Sequence, residues 1–465
     1  METLGCPKNQ VDSDKLVGTL TADGLVRADS PEDADLVVVN TCAFIEAARQ
    51  ESIDTILEMA DARREGARLV VTGCMAERYG AELAESLPEI DLVAPFGAAL
   101  VGAMPATRAP AVDAPPVPTP VRLTAKVAPP AFDLLHLPRP ASTAPWAYVK
   151  VAEGCDRNCG FCAIPSFRGK QRSRTAQSIL AEVDQLAAGG GGLREVVLVA
   201  QDLASYGLDR SGRTAGGADD DLDSPRRGTA TGGSKPIVDL VRAVSGRVDR
   251  TRLLYLYPST LDDALVDAML ATGVPYFDLS LQHVSRPLLK RMRRWGEGDR
   301  FLERIARIRA DEPRAAFRSS FIIGYPGETE EDHDLLLQWL EAAQLDWVGF
   351  FPYSREDGTY AAGIGDQVPD GLVAERLREC VELQDPITAR RRDDLIGERV
   401  EVLVDAPGEG RTFREAPEID GIVAVPGNLA VGSVVELVVT GADGPDLVAG
   451  PVDDRLAVAG TGGSR

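Results

Sequence analysis

EGCDRNCGFCAIPSFRG, residues 153–169, sets Cys155, Cys159 and Cys162 at C-x3-C-x2-C spacing directly after a strand-like run from Ala147 to Val151. Three thiolates from one tight loop suit three irons of a cubane cluster and leave the fourth iron open to another ligand. Structural zinc is the competing reading, but zinc wants four ligands in a closed tetrahedron. The only histidines are His136, His283 and His333, and no fourth Cys or His lies nearby. The spacing therefore predicts an iron-sulfur site in the loop leaving the first strand of a larger α/β unit.

Five more strand signals follow, at Glu195 to Val199, Arg252 to Tyr257, Tyr276 to Leu281, Phe317 to Ile323 and Asp346 to Phe351. Helical stretches such as Ala176 to Ala188, Ile237 to Ser245 and Thr329 to Ala343 separate them. Six strand-helix units predict a partial parallel (βα)6 barrel over 145–390, shorter than the closed eight-unit form, with functional loops after the strands. The Gly, Ser and Asp rich run 209–235 interrupts the rhythm and reads as a flexible insertion. After Arg392 the helical pattern stops. Val-rich segments such as RVEVLVD, GIVAVPG and GSVVELVVTG predict a small all-β domain over 393–465.

Upstream, strand-like segments at Glu2 to Leu4, Leu36 to Val39 and Leu69 to Thr72 each run into a cysteine, at Cys6, Cys42 and Cys74. Helical signals at Ser13 to Asp23 and Ala43 to Arg64 lie between them, so an N-terminal parallel α/β domain is expected over 1–100. Loops after parallel strands emerge on one edge, which brings these three thiols together. Taken singly, each would read as a small buried residue at a strand end. Their equivalent positions, with Gly5 and Gly73 permitting close approach to a bulky ligand, favour a second three-cysteine cluster. From 101 to 144 the chain is Pro and Ala rich and reads as a linker.

Cysteine in seven copies, an odd number, suits metal binding better than disulfides. No apolar run approaches the ~20 residues needed to cross a bilayer, so no membrane partner is expected. The N-terminus lacks a basic stretch followed by an apolar core, so a cytoplasmic protein is expected. A net charge of −22 argues against general attraction to nucleic acid. Residues 393–465 hold 14 acidic residues against 5 arginines, a net of −9, with no lysine. Such a domain suits a basic partner rather than tRNA, and Glu415, Glu418 and Asp420 are the expected contacts.

At Cys155 to Cys162 the sequence resembles the radical S-adenosylmethionine enzymes. Their open iron binds the amino and carboxylate groups of that cofactor, and reduction of the cluster splits it into methionine and a 5′-deoxyadenosyl radical. With an N-terminal three-cysteine domain and a C-terminal TRAM-like β domain, the chain is similar over nearly its whole length to the methylthiotransferases. Within these it looks like the RimO type, which β-methylthiolates one aspartate of the small-subunit ribosomal protein S-twelve. The segments that carry this are LGCPKNQVDSDK, NTCAFIEAARQESID, CAIPSFRGKQRSR, VAQDLASYG, LQHVSRPLLKRMRR, FIIGYPGE and REAPEIDG. The sister tRNA-modifying type has CIVPY where this chain has Cys162-Ala163-Ile164-Pro165-Ser166. Three departures stand out: few residues before Leu4-Gly5-Cys6, Ser280 where proline is expected, and the insertion after Gly207.

The resemblance implies two 4Fe-4S clusters, S-adenosylmethionine, and an electron donor such as flavodoxin or ferredoxin. The cluster at Cys155, Cys159 and Cys162 would generate the radical. The one at Cys6, Cys42 and Cys74 would hold the sulfur that is methylated and transferred. Gln201 and Asp202 are expected to touch the cofactor, and Gly324, Pro326, Gly327 and Glu328 to line its adenine or ribose side. Plain strand-to-helix geometry is the alternative for that turn. The run Arg291, Arg293, Arg294 is adequately read as a solvated helix face, and Cys380 as incidental. A tRNA adenosine methylthiotransferase and a non-catalytic iron-sulfur carrier or RNA-binding protein are the alternatives in function.

Overall fold

The structure, a computed structural model, describes residues 1–100, 133–211 and 235–452. Most of the Pro-rich stretch and of the 209–235 insertion, and the last residues of the β domain, lie outside them. The chain forms two compact units, Met1–Pro140 and Ala141–Arg465.

In the first unit, strands β1 (Glu2–Thr3), β2 (Leu36–Thr41), β3 (Arg68–Gly73) and β4 (Leu92–Val93) form one parallel sheet in that order. Helices α1 (Pro7–Ala22), α2 (Glu46–Ala62) and α3 (Cys74–Ser86) make the crossovers. Val37, Val38 and Val39 are buried in succession, as are Leu69, Val70 and Val71. Continuous apolar runs of this kind mark a parallel strand covered on both faces. The sequence reading missed β4, which is too short for periodicity to register, and α3, which begins at Cys74 itself. The Pro-rich stretch is also not loose throughout. Leu134 joins the core with Leu16, Val38 and Val70, Lys15 Nζ donates to the Leu135 carbonyl at 2.7 Å, and Arg139 pairs with Asp14.

In the second unit, β5 (Trp146–Lys150), β6 (Ala152–Glu153), β7 (Arg172–Ser173), β8 (Glu195–Val199), β9 (Arg250–Leu253), β10 (Tyr276–Gln282), β11 (Ala316–Ile323) and β12 (Trp347–Pro352) alternate with helices. These are α4 (Ile164–Arg168), α5 (Ala176–Ala188), α6 (Pro236–Ser245), α7 (Asp263–Leu270), α8 (Arg286–Arg291), α9 (Gly298–Asp311) and α10 (Glu330–Ala343), with the long α11 (Asp370–Asp393) closing the series. Parallel triplets β5-β8-β9 and β10-β11-β12 meet at a single parallel bridge between Leu256 and Leu279, completing the expected six-strand arc. β9 stops at Leu253, short of the expected Tyr257. Tyr255 takes a left-handed φ of 64°, and its amide turns onto Asp278 Oδ2 at 2.9 Å. The main core fills the space between this arc and its helices.

The last strands, β13 (Arg399–Ala406), β14 (Glu409–Arg411), β15 (Val423–Ala424), β16 (Val434–Asp443) and β17 (Asp446–Pro451), close a barrel around Val402, Val423, Leu437, Val439 and Leu447. Its loop 414–421, REAPEIDG, packs against the amino-terminal ends of the arc strands. Tyr148 Oη donates to the Pro417 carbonyl at 2.7 Å and Trp347 Nε1 to the Arg414 carbonyl at 2.7 Å. Tyr276 Oη reaches Asp420 at 2.6 Å. Beside them Glu195 takes Arg252 at 2.6 Å and Arg411 at 3.0 Å, and Glu415 pairs with Arg392.

This corrects the expected docking contacts. Glu415 is fully buried and Asp420 nearly so, because arginines on the strand ends and on α11 need carboxylates there. Only Glu418 faces solvent. Burial alone would push the Glu195 carboxyl up, but Arg252, Arg411 and Arg250 hold it at about 2. Its stabilisation is complete above the unfolded carboxylate value of about 4.3 and is lost as pH falls toward the folded value.

Glu415→Ala should cost about 3–5 kcal/mol, because it leaves the Arg392 charge buried without its carboxylate. The exposed Glu418→Ala should stay within about 0.5 kcal/mol. Denaturant midpoints of the two variants check this, and equal midpoints would refute it.

Candidate active site

Each cysteine of the first triad follows the carboxyl end of a parallel strand: Cys6 caps α1, Cys42 follows β2, and Cys74 opens α3. Asn9 ties these ends together from one buried position. Its Nδ2 donates to the Leu4 carbonyl at 2.9 Å and to the Thr41 carbonyl at 3.0 Å, while its Oδ1 stands 3.6 Å from Cys74 Sγ. A Cβ on Gly5 would lie 2.9 Å from Cys42 Sγ, and one on Gly73 would lie 2.3 Å from Asn40 Oδ1. Both glycines have positive φ, so sterics and backbone conformation each require them. Asn40 Oδ1 is buried with no hydrogen-bond donor.

The second triad sits in the loop after β6. Gly154, at φ 76°, lets the loop press on its own return segment, since a Cβ there would lie 2.2 Å from the Lys170 carbonyl. The Cys155 amide donates to Gly169 O at 3.0 Å, the Gly160 amide to Met292 O at 2.8 Å, and the Ala361 amide to Gly160 O at 2.8 Å. Glu153 anchors the loop entrance by gathering Lys150 at 2.6 Å, Arg168 at 2.9 Å, Gln201 Nε2 at 2.8 Å and the Gly154 amide at 3.1 Å. Burial would push this carboxyl up, yet Arg168 and Lys150 hold it far below the usual range. The Cys155 thiol goes the other way, raised by burial and by the nearby Asp202. Cys380 is buried in α11 among core residues, and no cysteine is in a disulfide.

Gln201 and Asp202 follow β8 after Ala200. Asp202 Oδ2 takes Arg157 Nε at 2.7 Å and Ser205 Oγ at 2.7 Å. Gln201 Oε1 and Asp202 Oδ1 are both buried with no donor. The turn after β11 is clamped within the protein. Glu328 accepts the Gly324 amide at 2.7 Å and pairs with Arg376 at 3.0 Å. Arg291 Nη1 donates to Gly327 O at 2.8 Å and lies within hydrogen-bond reach of Pro326 O. Glu328 thus has both oxygens engaged in holding its own turn.

The basic run departs from expectation at Arg294 alone, since Arg291 and Arg293 are exposed. α8 ends at Arg291, and Arg293 takes φ 55°, which turns the chain so that Arg294 goes inward. Arg294 is 5% exposed, with Nη1 3.2 Å from Cys159 Sγ. Its guanidinium lies 4.3 Å from the Tyr257 ring centroid, and that of Arg157 lies 3.8 Å from the same centroid. Sequence reasoning missed both arginines. Arg157 was legible only as a member of the cysteine loop.

Comparison with known proteins follows this layout. Residues 1–95 match an uncharacterized protein family, UPF0004, residues 149–340 the radical SAM superfamily, and residues 396–452 the TRAM domain. A ribosomal protein uS12 methylthiotransferase RimO from Salinispora tropica is 41% identical, covering 100% of this chain and 96% of the relative. Those of Saccharopolyspora erythraea, at 41%, and Streptomyces coelicolor, at 40%, each cover 97% of this chain and 94% and 96% of themselves. The chain belongs to the RimO family. Among solved structures, the radical S-adenosylmethionine methyltransferase TsrM from Kitasatospora setae matches at 15% identity and a TM-score of 0.39, covering 90% of this chain and 75% of that one. A likeness that distant carries no argument.

As a RimO-family chain the protein is a radical S-adenosylmethionine methylthiotransferase, and its superfamily works with a 4Fe-4S cluster and S-adenosylmethionine. The residues present fit both groups. Three thiols in one pinned loop match the cluster's donor chemistry, and two buried acceptors without donors stand at the next strand end. Among the described residues no three or more His, Cys, Asp or Glu are grouped to hold a metal ion. Cubane ligands attach to separate corners, so they stand further apart than the ligands of a single ion.

Two glycines of this loop give a paired test. Gly154 and Gly169 both have positive φ, but nothing lies within 4 Å of a Cβ on Gly169. Gly169→Ala should cost about 1–3 kcal/mol for the backbone alone, because φ 75° with ψ −167° is a conformation open essentially to glycine. Gly154→Ala should lose about 1–3 kcal/mol more from the clash. Equal denaturant midpoints would show that the loop does not press on its return segment.

Proposed function

We propose that this chain methylthiolates the β-carbon of an aspartate in the small-subunit ribosomal protein uS12. In this reading Cys155, Cys159 and Cys162 hold one 4Fe-4S cluster, and Cys6, Cys42 and Cys74 hold a second. The observation that carries it is that the first triad lies at the carboxyl ends of parallel strands and the second in the loop leaving parallel β5 through the short β6, each on a backbone that glycines let approach closely. When bound, the barrel cluster and S-adenosylmethionine supply a carbon radical able to take hydrogen from an unactivated carbon, and the second cluster supplies sulfur.

The chain's own residues do the positioning. Glu153 fixes the entrance of the barrel cysteine loop through Lys150 and Arg168. Arg157 holds Asp202 so that its second oxygen, with Gln201 Oε1, can accept N–H or O–H groups of the cofactor. The turn Gly324, Pro326, Gly327 and Glu328, clamped by Arg291 and Arg376, forms a wall after β11. An external carrier such as flavodoxin or ferredoxin would deliver the electron.

Substrate choice follows from charge. On the described part of the β domain, Asp393, Asp394, Glu398, Glu401, Glu409, Glu418, Glu436 and Asp443 are exposed, whereas Arg411 and Arg414 are buried. Arg399 is the one exposed arginine there, and it pairs with Glu436 at 2.9 Å. Such a surface attracts a basic ribosomal protein and repels tRNA phosphates. A ribosomal substrate would be met in the cytoplasm; no described helix is long and apolar enough to cross a membrane.

Anaerobically reconstituted protein should carry about eight irons, falling to about four when Cys155, Cys159 and Cys162 become alanine. Stoichiometric zinc without charge-transfer absorbance would sink the two-cluster reading. With a basic uS12 substrate, Cys155→Ala should abolish 5′-deoxyadenosine formation, whereas Cys42→Ala should still form it without transferring the methylthio group. A Cys42→Ala enzyme that completes the modification would refute the sulfur role of the first triad.

A further inference from the structure

We propose that Arg294 is a positioning residue for the barrel cluster, donating to the Cys159 sulfur and raising the cluster's reduction potential. The inference rests on the reading that Cys159 is a cluster ligand. Arg294 is buried, and Nη1 lies 3.2 Å from Cys159 Sγ. The guanidinium is fixed from two further sides, by Nη2 donating to the Ser280 carbonyl and by the Tyr257 ring. Tyr257 is itself held, accepting the Trp295 amide at 3.2 Å.

Arg157, beside Arg294, is compensated by Asp202 at 2.7 Å. Among the described residues no carboxylate pairs with Arg294, and its Nε has no partner. A buried guanidinium without an anion costs several kcal/mol. A cluster-bound thiolate would put negative charge on the sulfur it addresses, so the fold has placed a cation against the site where a cluster puts that charge. One-electron reduction adds a further negative charge to the cluster. A fixed cation and an N–H···S hydrogen bond favour that reduced state over the oxidised one. The cluster would then be easier to reduce than one whose ligands face only neutral groups.

The test uses the full chain with Cys6, Cys42 and Cys74 changed to alanine, so that the barrel cluster alone reports. Potentiometric titration followed by electron paramagnetic resonance, without S-adenosylmethionine, compares this parent with Arg294→Gln and Arg294→Lys. Arg294→Gln should make reduction about tenfold less favourable, a drop of about 59 mV for one electron. Arg294→Lys, which keeps charge but not the planar fork, should fall between. An intact cluster with unchanged potential in Arg294→Gln overturns the proposal, even if cofactor binding is weakened. Should that variant lose its cluster, the parent labelled with ¹⁵N-arginine decides. Hyperfine coupling between a guanidinium nitrogen and the reduced cluster supports the contact, and its absence overturns it. A parent that binds no cluster would instead overturn the underlying ligand assignment.

Discussion

Parallel pairing sends the carboxyl end of every strand in a sheet to the same edge, and the chemistry of this molecule depends on that constraint. In the first unit it gathers residues 6, 42 and 74, which no local motif could bring together. The buried carboxamide of Asn9 then locks the first two strand ends beside the third cysteine. In the second unit it places the cysteine loop, Gln201 with Asp202, and the turn at 324–328 after the first, second and fifth strands of one arc. Gly73 and Gly154 are required where these segments touch, because a Cβ there would meet backbone, whereas Gly5, Gly324 and Gly327 face the side chains of Cys42, Val373 and Arg291.

The opposite edge of the arc obeys a different rule. Its strands begin with charged residues, Glu195, Arg250 and Arg252 among them, which a parallel sheet leaves buried. The β domain resolves this by supplying Arg411, Glu415 and Asp420 and a run of carbonyls from Phe413 to Pro417. The acidic loop REAPEIDG is therefore a structural seal, and the proposed recognition of a basic partner would fall to acids exposed elsewhere on the β domain. Breaking one partner of such a network costs more than the pair itself contributes to stability.

Much of this was legible in the sequence because apolar runs of Val, Ile and Leu leave little choice of state. The strands Glu195–Val199 and Tyr276–Gln282 fall within a residue of where periodicity puts them. The six clustered cysteines were legible for a related reason, since Cys6, Cys42, Cys74 and the loop holding Cys155, Cys159 and Cys162 each come after a strand. What was not legible depended on conformations that composition does not announce. Tyr255 and Arg293 take positive φ without being Gly or Asn, so β9 ends early and Arg294 leaves the helix face that its spacing suggested. REAPEIDG was read as a solvent-facing acidic motif because its arginine partners lie elsewhere in the chain, on strand ends and on α11.

The central claim is that this chain modifies a ribosomal protein rather than tRNA. Mass spectrometry of uS12 and of bulk tRNA nucleosides, from a strain lacking this gene and from the same strain complemented with it, tests that claim most directly. Loss of a methylthio mass from one uS12 aspartate, restored on complementation, with tRNA nucleosides unchanged, is the result this account predicts. An unaltered uS12 together with loss of a methylthiolated tRNA nucleoside would contradict it.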